Sequence, residues 1–264
     1  MKKRIVALVA TAFCMTSVFS FSSCLDLGDF GSADYEKWSE NILTTTLRAN
    51  VTVKKNKTVF QGSATLSQGS GMIFYQDANS YYALTNYHVA YRDSVTSGVI
   101  SVKYSVTDCF GNTDYSAVNM LYGDADYDLA VIRFDKKYDV TLSVTPLATT
   151  NPKSFEPVAT IGQSEGVHNG VTFGKTIGYE RVQITGEDVQ YSNVQFPALV
   201  HNCYTLGGSS GGGVINENLQ LVGIHYACGF DEEGDFVEGY AVPVEKIRDF
   251  LADAETQTDV ELGV

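Results

Sequence analysis

The chain has 264 residues, of which 44% are hydrophobic and 12% aromatic. This composition excludes a disordered chain and suits a globular protein with one or two ordinary cores. With 18 basic and 31 acidic residues the formal net charge is −13, so the average field repels phosphate backbones and anionic lipid headgroups, and no nucleic acid partner is expected.

The N-terminus has the pattern of an export signal. A basic MKKR is followed by an apolar stretch from Ile5 to about Phe21 and by two serines, which predicts a signal peptide over residues 1–23. The apolar stretch is short for a bilayer span, so a permanent transmembrane helix is the weaker interpretation. The tetrad FSSC resembles a bacterial lipobox, which makes Cys24 a lipidation candidate and the only expected membrane contact. Phe21 replaces the usual aliphatic residue there, so ordinary signal cleavage is the alternative.

The segment over residues 24–44 is polar and acidic with little periodicity, and a flexible tether is predicted there. From about residue 45 onward, short apolar or alternating runs recur between Gly, Asn and Asp. About a dozen strands of this length predict an all-β chain that forms barrels or sandwiches.

A helical pattern appears only near the C-terminus, in PVEKIRDFLADA. Its large apolar residues fall on one helical face: Val244, Ile247, Phe250 and Leu251. Pro243 is placed to open this helix. A helix is therefore predicted over residues 243–253, followed by a disordered polar tail over 255–264.

The five cysteines separate by location. Cys14 leaves with the signal and Cys24 is the lipidation candidate, so Cys109, Cys203 and Cys228 remain. In an oxidising compartment, one interpretation is a Cys203-Cys228 bridge with Cys109 free. The other is that all three are free thiols, and the sequence alone does not decide between them.

The most informative stretch is HNCYTLGGSSGGGVI, whose glycine-rich loop (residues 207–212) contains Ser209 and Ser210. With so little side-chain bulk, such a loop can point backbone N–H groups at one spot and stabilise an oxyanion beside a serine hydroxyl. A plain Gly/Ser turn is the alternative.

Two other segments favour the catalytic interpretation. His88 ends an apolar strand in YYALTNYHVA, and Asp128 immediately precedes another strand in DADYDLAVIRF. A serine hydroxyl needs a base, and an imidazole needs a carboxylate to hold its tautomer, so the three residue types together form a working nucleophile system.

Five segments, GSGMIF, ALTNYHVA, DYDLAVIRF, GGSSGGGVINENLQLVGIHYA and GYAVPVEKI, resemble in order the motifs of trypsin-like peptidases of the chymotrypsin fold, especially the HtrA/Deg and glutamyl endopeptidase branches. The resemblance covers roughly Val51 to Leu251. It implies a peptidase domain over residues 45–254 with two six-stranded antiparallel β-barrels, the first over about 45–145 and the second over about 150–243. The implied function is a serine endopeptidase that acts on polypeptides through an acyl-enzyme.

The resemblance also implies roles for single residues. His88 matches the general base, Asp128 its orienting carboxylate and Ser210 the nucleophile, while the N–H groups of Gly208 and Ser210 match the oxyanion hole. The chain order His-Asp-Ser is that of the chymotrypsin fold and argues against an α/β-hydrolase.

Local alternatives exist for two of these roles. Asp124 and Asp126 compete with Asp128, but only Asp128 directly precedes the apolar run. Ser209 competes with Ser210, but the family places the nucleophile just before a Gly-Gly pair.

The glycine-rich loop also departs from the family. Ser209 stands where relatives usually carry Asn or Asp, and Gly213 stands where they often carry Pro. These changes leave the oxyanion-hole geometry open, and an inactive relative that serves as a binding or scaffold lipoprotein is the alternative function. HtrA/Deg relatives commonly continue into a PDZ domain, and none is expected in this chain.

Two positions suggest a cleavage preference. Glutamyl endopeptidases bind an acidic side chain with a His 15 positions after the nucleophile and a Thr five before it, which His225 and Thr205 match. A preference for Glu or Asp before the scissile bond is the hypothesis, and an ordinary strand residue is the alternative for His225. His168 and His201 are predicted to be surface or loop residues. No metal or nucleotide motif occurs in the sequence, so no metal or cofactor is expected.

Overall fold

The computed structural model describes residues 5–7, 32–60, 62–91, 99–183 and 192–264. The strands in these ranges are β1 Ile5–Ala7, β2 Asn50–Val59, β3 Gly62–Gln76, β4 Ser80–Thr85, β5 Val99–Asp108, β6 Asn119–Asp124, β7 Leu129–Asp135, β8 Pro157–Gly162, β9 Gly170–Glu180, β10 Ala198–His201, β11 Gly213–Asn216, β12 Leu221–Phe230 and β13 Phe236–Pro243. The helices are α1 Ser32–Thr44, α2 Tyr87–Ala90 and α3 Val244–Thr258, with 3₁₀ turns at Thr46–Ala49 and Ser164–Gly166.

The strands form two antiparallel sheets in succession along the chain. Strands β2 to β7 form a six-stranded sheet in the order β5-β2-β3-β4-β7-β6, here called the N-terminal half-barrel because β5 and β6 are not paired with each other. Strands β8 to β13 form the C-terminal barrel, which closes because β12 pairs with both β11 and β13. The predicted all-β class with two six-stranded antiparallel sheets and a C-terminal helix is confirmed, although the first sheet is open.

Burial explains which strands lie at the centre. Every residue of β4 is buried, as are most residues of β7, and a strand covered on both faces reads as a continuous apolar run rather than an alternating one. One cluster of buried side chains includes residues of both sheets and of α3, among them Met72, Leu84, Ile132, Ile161, Ile224 and Phe250. The core therefore continues between the two sheets.

Helix α3 packs against the N-terminal half-barrel. The Phe250 ring is fully buried and lies 5.3 Å from the Tyr122 ring and 5.7 Å from the Tyr127 ring between centroids. The helix ends at Thr258, beyond the predicted residue 253, and Leu262 is buried with its N–H donating to Glu255 Oε1 at 2.6 Å. The predicted disordered tail is therefore wrong for this part, because the apolar Leu262 packs against the fold.

The predicted flexible tether is also wrong for residues 32–44, which form α1. Trp38 and Ile42 are buried, and Trp38 Nε1 donates to Asn216 O in β11 at 3.2 Å. The rings of Tyr35 and Trp38 meet Phe173 of β9 edge-on, at 5.6 and 5.3 Å between centroids. These contacts attach α1 to the C-terminal barrel.

The predicted signal peptide lies outside the described residues except for Ile5–Ala7. This short strand pairs with β12, with Ala7 opposite Cys228 and Ile5 opposite Phe230. Cys14 and Cys24 lie outside the described residues. Among the helices in the described part of the chain, none has the length and apolarity to span a bilayer.

All three remaining cysteines are free thiols. Cys203 Sγ lies 3.4 Å from Val158 O, and Cys228 Sγ lies 3.2 Å from Thr205 O. Burial raises the pKa of both thiols to about 12. Of the two alternatives, the structure has free thiols rather than a Cys203-Cys228 bridge.

Candidate active site

The positions of His88 and Asp128 follow from the pairing of two neighbouring strands. Thr85 at the end of β4 lies opposite Ala130 near the start of β7. His88 sits on the short helix α2 just after β4, and Asp128 directly precedes β7. The antiparallel register therefore brings both side chains to the same end of the half-barrel.

His88 and Asp128 form a buried pair, with 5% and 0% of their surfaces exposed. His88 Nδ1 lies 2.9 Å from Asp128 Oδ2 and 3.1 Å from Oδ1, and the His88 backbone N–H also donates to Oδ1 at 3.0 Å. An ionised carboxylate only accepts hydrogen bonds, so Nδ1 carries the proton and Nε2 keeps its lone pair. The pair thus presents a basic nitrogen on the ring edge away from the carboxylate.

In the turn before β7, Asp128 differs in its contacts from the two alternative aspartates, Asp124 and Asp126. Asp124 Oδ1 accepts the Asp126 N–H at 2.8 Å, and Asp126 Oδ1 accepts from Asn193 Nδ2 at 2.6 Å. Asp128 has a φ of 50°, in the left-handed region, and its carbonyl accepts from Asn86 Nδ2 at 2.9 Å. Of the three aspartates, Asp128 is the one bonded to His88.

The glycine-rich loop is held by backbone contacts on two sides. The Ser210 carbonyl accepts the Ser70 N–H of β3 at 2.7 Å, and the Gly211 N–H donates to His225 O at 2.9 Å. Gly211 has a φ of +86°, and a Cβ there would lie 2.0 Å from Ser70 O. Only glycine fits this close approach of the loop to the half-barrel.

The helix that carries His88 and the glycine-rich loop converge on Gly69 of β3. A Cβ at Gly69 would lie 2.7 Å from Val89 Cγ2 and 2.8 Å from Ser210 O. Val89 directly follows His88. The two parts of the site therefore approach each other across this glycine.

The two adjacent serines differ in their surroundings. Ser209 is 4% exposed and lines a partly open pocket of the C-terminal barrel, with its Oγ 3.4 Å from the Leu206 backbone nitrogen. Ser210 is half-buried. Of the two serines, Ser210 is therefore the more exposed.

The predicted oxyanion-hole donors lie in the same loop. Gly208 has a φ of +96°, and a Cβ there would lie 2.3 Å from Gln163 O, so the position requires glycine. Within the described residues, the N–H groups of Gly208 and Ser210 donate to no acceptor. Both amides are therefore available to a ligand.

Thr205 and His225 line the same pocket as Ser209. Cys228 Sγ lies between them, 3.4 Å from Thr205 Oγ1 and 3.5 Å from His225 Nε2. Burial, with smaller contributions from His201 and His88, lowers the pKa of His225 well below its ordinary value. The imidazole is therefore uncharged at neutral pH.

The prediction that His201 is a surface or loop residue is wrong. It ends β10, is fully buried, and its Nε2 lies 3.2 Å from His225 Nδ1. Burial lowers the pKa of His201 to about 3. The sequence signal for its burial was its position at the end of the apolar run ALVH. His168 is exposed, as predicted, and its Nδ1 lies 3.2 Å from Gln163 Nε2.

Among the residues with described positions, no group of three or more His, Cys, Asp or Glu is arranged to hold a metal ion.

Comparisons with known proteins identify the family to which this chain belongs. The model of the trypsin-like peptidase domain matches residues 69–224, more than half of the chain. The magnetosome formation protease MamE of Paramagnetospirillum magneticum is 32% identical over 187 residues, covering 70% of this chain and 23% of that protein. The serine protease Do-like HtrA of Lactococcus lactis subsp. cremoris is 27% identical over 200 residues, covering 72% and 45%.

The chain thus matches less than half the length of these two relatives. Among solved structures, an inactive form of Rv3671c from Mycobacterium tuberculosis, a serine-to-alanine mutant, has the same fold. Its TM-score is 0.57 at 16% identity, over 82% of this chain and 91% of that one. The family predicted from the five sequence motifs is confirmed: the chain belongs to the trypsin-like peptidase domain family.

Proposed function

We propose that the chain is a serine endopeptidase in which His88 is the general base, Asp128 orients it and Ser210 is the nucleophile. The observation that carries this proposal is the buried His88-Asp128 pair, with a 2.9 Å Nδ1-Oδ2 distance, beside a glycine-rich loop. Relatives named as proteases support the same reaction class.

Acylation begins when Nε2 of His88 takes the proton of the Ser210 hydroxyl. The Ser210 oxygen bonds to the substrate carbonyl carbon, and the carbonyl electron pair moves to its oxygen. The N–H groups of Gly208 and Ser210 stabilise this oxyanion. Asp128 stabilises the imidazolium that forms, without taking its proton.

The tetrahedral intermediate then collapses. The His88 imidazolium gives its proton to the leaving amine, the C–N bond breaks and an acyl-enzyme remains on Ser210. A water molecule gives a proton to His88 and attacks the ester carbon. Release of the carboxylic acid returns the proton to Ser210.

We propose further that substrates with Glu or Asp before the scissile bond are preferred. His225 Nδ1 lies 3.2 Å from His201 Nε2, so one of these two nitrogens donates to the other. When His201 is the donor, the N–H of the neutral His225 ring lies on Nε2. That N–H and the Thr205 hydroxyl are then neutral donors for a carboxylate.

A fluorophosphonate probe tests the main proposal. The folded wild-type chain is expected to be labelled, and the Ser210→Ala variant is expected to remain unlabelled because it lacks the nucleophile. Ser209→Ala is the matched control and keeps its labelling. An unlabelled wild type would favour the second candidate, an inactive binding or scaffold protein, which the unusual Ser209 in the loop suggests.

Peptides that differ only at the residue before the scissile bond test the acidic preference. Turnover after Glu or Asp is expected to exceed turnover after Leu and Lys, and Thr205→Val is expected to weaken this ratio by about tenfold, the discrimination of one hydrogen bond. Equal turnover after Glu and Leu would exclude the preference while leaving the peptidase proposal intact.

Export is the remaining proposal, with Cys24 as the lipidated N-terminus of the mature protein or with plain signal cleavage as the alternative. Mass spectrometry of the protein purified from bacterial envelopes distinguishes them. A diacylglycerol-modified Cys24 is expected, and the modification must be absent from Cys24→Ala. An unmodified mature N-terminus would favour plain cleavage.

A further inference from the structure

Ser70 of β3 connects the two halves of the site through its N–H and its hydroxyl. It is fully buried, and its N–H donates to Ser210 O at 2.7 Å. Its carbonyl accepts from Thr85 Oγ1 at 2.7 Å. Its hydroxyl donates to Gly208 O at 2.9 Å and accepts the Gln163 N–H at 2.8 Å. One residue of the half-barrel thus binds three partners on or next to the glycine-rich loop of the other barrel.

These contacts bear directly on the two amides of the oxyanion hole. Those amides belong to Gly208 and Ser210, and Ser70 binds the carbonyl of each of these residues. Any residue at position 70 except proline could make the contact with Ser210, because the donor is the backbone N–H. The contact with Gly208 requires a side-chain hydroxyl.

Gly208 needs such a restraint because glycine occupies a wide region of φ and ψ. Its φ is +96°, and a small rotation would turn its N–H away from the point where the oxyanion forms. On the other side of Gly208, the Gly207 carbonyl accepts the Glu165 N–H at 2.7 Å. Each of the two peptide groups that flank the Gly208 Cα is therefore held by a hydrogen bond, one from the Glu165 N–H and the other from the Ser70 hydroxyl.

The space around the hydroxyl is closely fitted. A Cβ at Gly162, the last residue of the neighbouring strand β8, would lie 2.8 Å from Ser70 Oγ, so this position leaves room for the hydroxyl only because it has no side chain. Preorganised donors stabilise a transition state only when they are held close to their productive geometry.

We propose that the Ser70 hydroxyl is a positioning residue that holds the oxyanion hole formed by the N–H groups of Gly208 and Ser210. This inference rests on the proposed peptidase function. It assigns to Ser70 an effect on the transition state, because the oxyanion is absent from the bound ground state.

Steady-state kinetics of Ser70→Ala in the full chain test the proposal. Because direct loss of an oxyanion-hole donor lowers kcat about 10² to 10³-fold, the indirect loss is expected to lower kcat roughly 10 to 100-fold. KM is expected to change by less than about twofold. Ser80→Ala is the matched control, since Ser80 is also fully buried in the half-barrel and its Oγ accepts from Arg133 Nε at 3.1 Å, away from the loop. Its kcat is expected to equal that of the wild type.

Two further measurements separate positioning from general stability. Ser70→Cys keeps a weak donor, and its kcat is expected to fall between those of wild type and Ser70→Ala. If Ser70→Ala does not fold, Ser70→Cys alone must still lower kcat at unchanged KM. A peptide boronate, which mimics the tetrahedral state, is expected to bind Ser70→Ala at least tenfold more weakly, while the product peptide binds equally well.

The outcomes separate this inference from the function on which it rests. A wild type that neither hydrolyses peptides nor reacts with the probe would overturn both. An active wild type with unchanged kcat in Ser70→Ala would overturn the role of Ser70 only. So would a loss seen equally in Ser80→Ala, or one confined to KM.

Discussion

The two barrels hold their parts of the candidate site by different means. The N-terminal half-barrel holds His88 and Asp128 through side-chain hydrogen bonds in a buried setting. The glycine-rich loop of the C-terminal barrel is held mainly through backbone contacts, some of them to Ser70 of the half-barrel, and through close approaches that leave no room for a Cβ at Gly208 or Gly211. The chemistry of the first part therefore depends on which polar side chains it carries, and that of the second depends largely on the absence of side chains within the loop itself.

The largest expected effects come from replacing the proposed catalytic residues of either barrel. Ser210→Ala and His88→Ala are each expected to lower kcat roughly 10⁶-fold, the scale known for a serine peptidase triad. Asp128→Asn keeps the shape but favours the wrong tautomer of His88 and is expected to lower kcat roughly 10⁴-fold. The loss in kcat is measured from peptide hydrolysis by the folded variants. A double variant of Ser210 and His88 no slower than either single one would confirm that they act as a unit.

The next effect tests the packing of the loop. Gly211→Ala is expected to lower the free energy of unfolding by several kcal/mol, because strain at φ +86° adds to a Cβ placed 2.0 Å from Ser70 O. Gly234→Ala is the matched control, with a φ of +90° and no atom within 4 Å of its Cβ. It is expected to cost only about 1 to 2 kcal/mol. Urea unfolding measures both, and equal losses would contradict the role of the close approach.

A smaller effect tests the attachment of α1 to the C-terminal barrel. Trp38→Ala is expected to lower the free energy of unfolding by about 3 to 5 kcal/mol, because it removes a buried ring and its bond to Asn216 O. Glu36→Ala, on the exposed face of the same helix, is the control and is expected to change it by less than about 0.5 kcal/mol. A similar small change in both variants would contradict the attachment of α1 and favour the predicted flexible tether.

The smallest expected effect is a loss of stability at acidic pH. His201 is buried and its pKa falls from 6.5 to about 3 in the folded chain, so the unfolded chain binds more protons between these values. Stability is therefore full above pH 6.5 and is lost as the pH falls below it, by about 2 kcal/mol down to pH 5 for this residue. Urea unfolding at both pH values is expected to show a smaller difference in His201→Phe than in wild type. An identical difference would contradict a neutral buried His201.

Much of the site could be predicted because its signals are local. GSGMIF, ALTNYHVA and DYDLAVIRF each place polar or glycine residues next to an apolar run, and the pairing of β4 with β7 then places Asp128 beside His88. By contrast, α1 was missed because Tyr35, Trp38 and Ile42 form a sparse stripe within an acidic segment, and the partner Phe173 lies far along the chain.

The sequence by itself determined the all-β class, the terminal helix and the residues suited to acyl chemistry, because the patterns of strands, helices and glycine-rich turns act over short distances. The expectation of two successive barrels rested on the family resemblance of its motifs. Only the tertiary structure decided that the first sheet stays open, that Cys203 and Cys228 remain thiols, and that His201 lies behind His225. It also decided that Ser70 reaches Gly208. Each of these depends on atoms that meet across separate strands, and a chain pattern carries no distance between them.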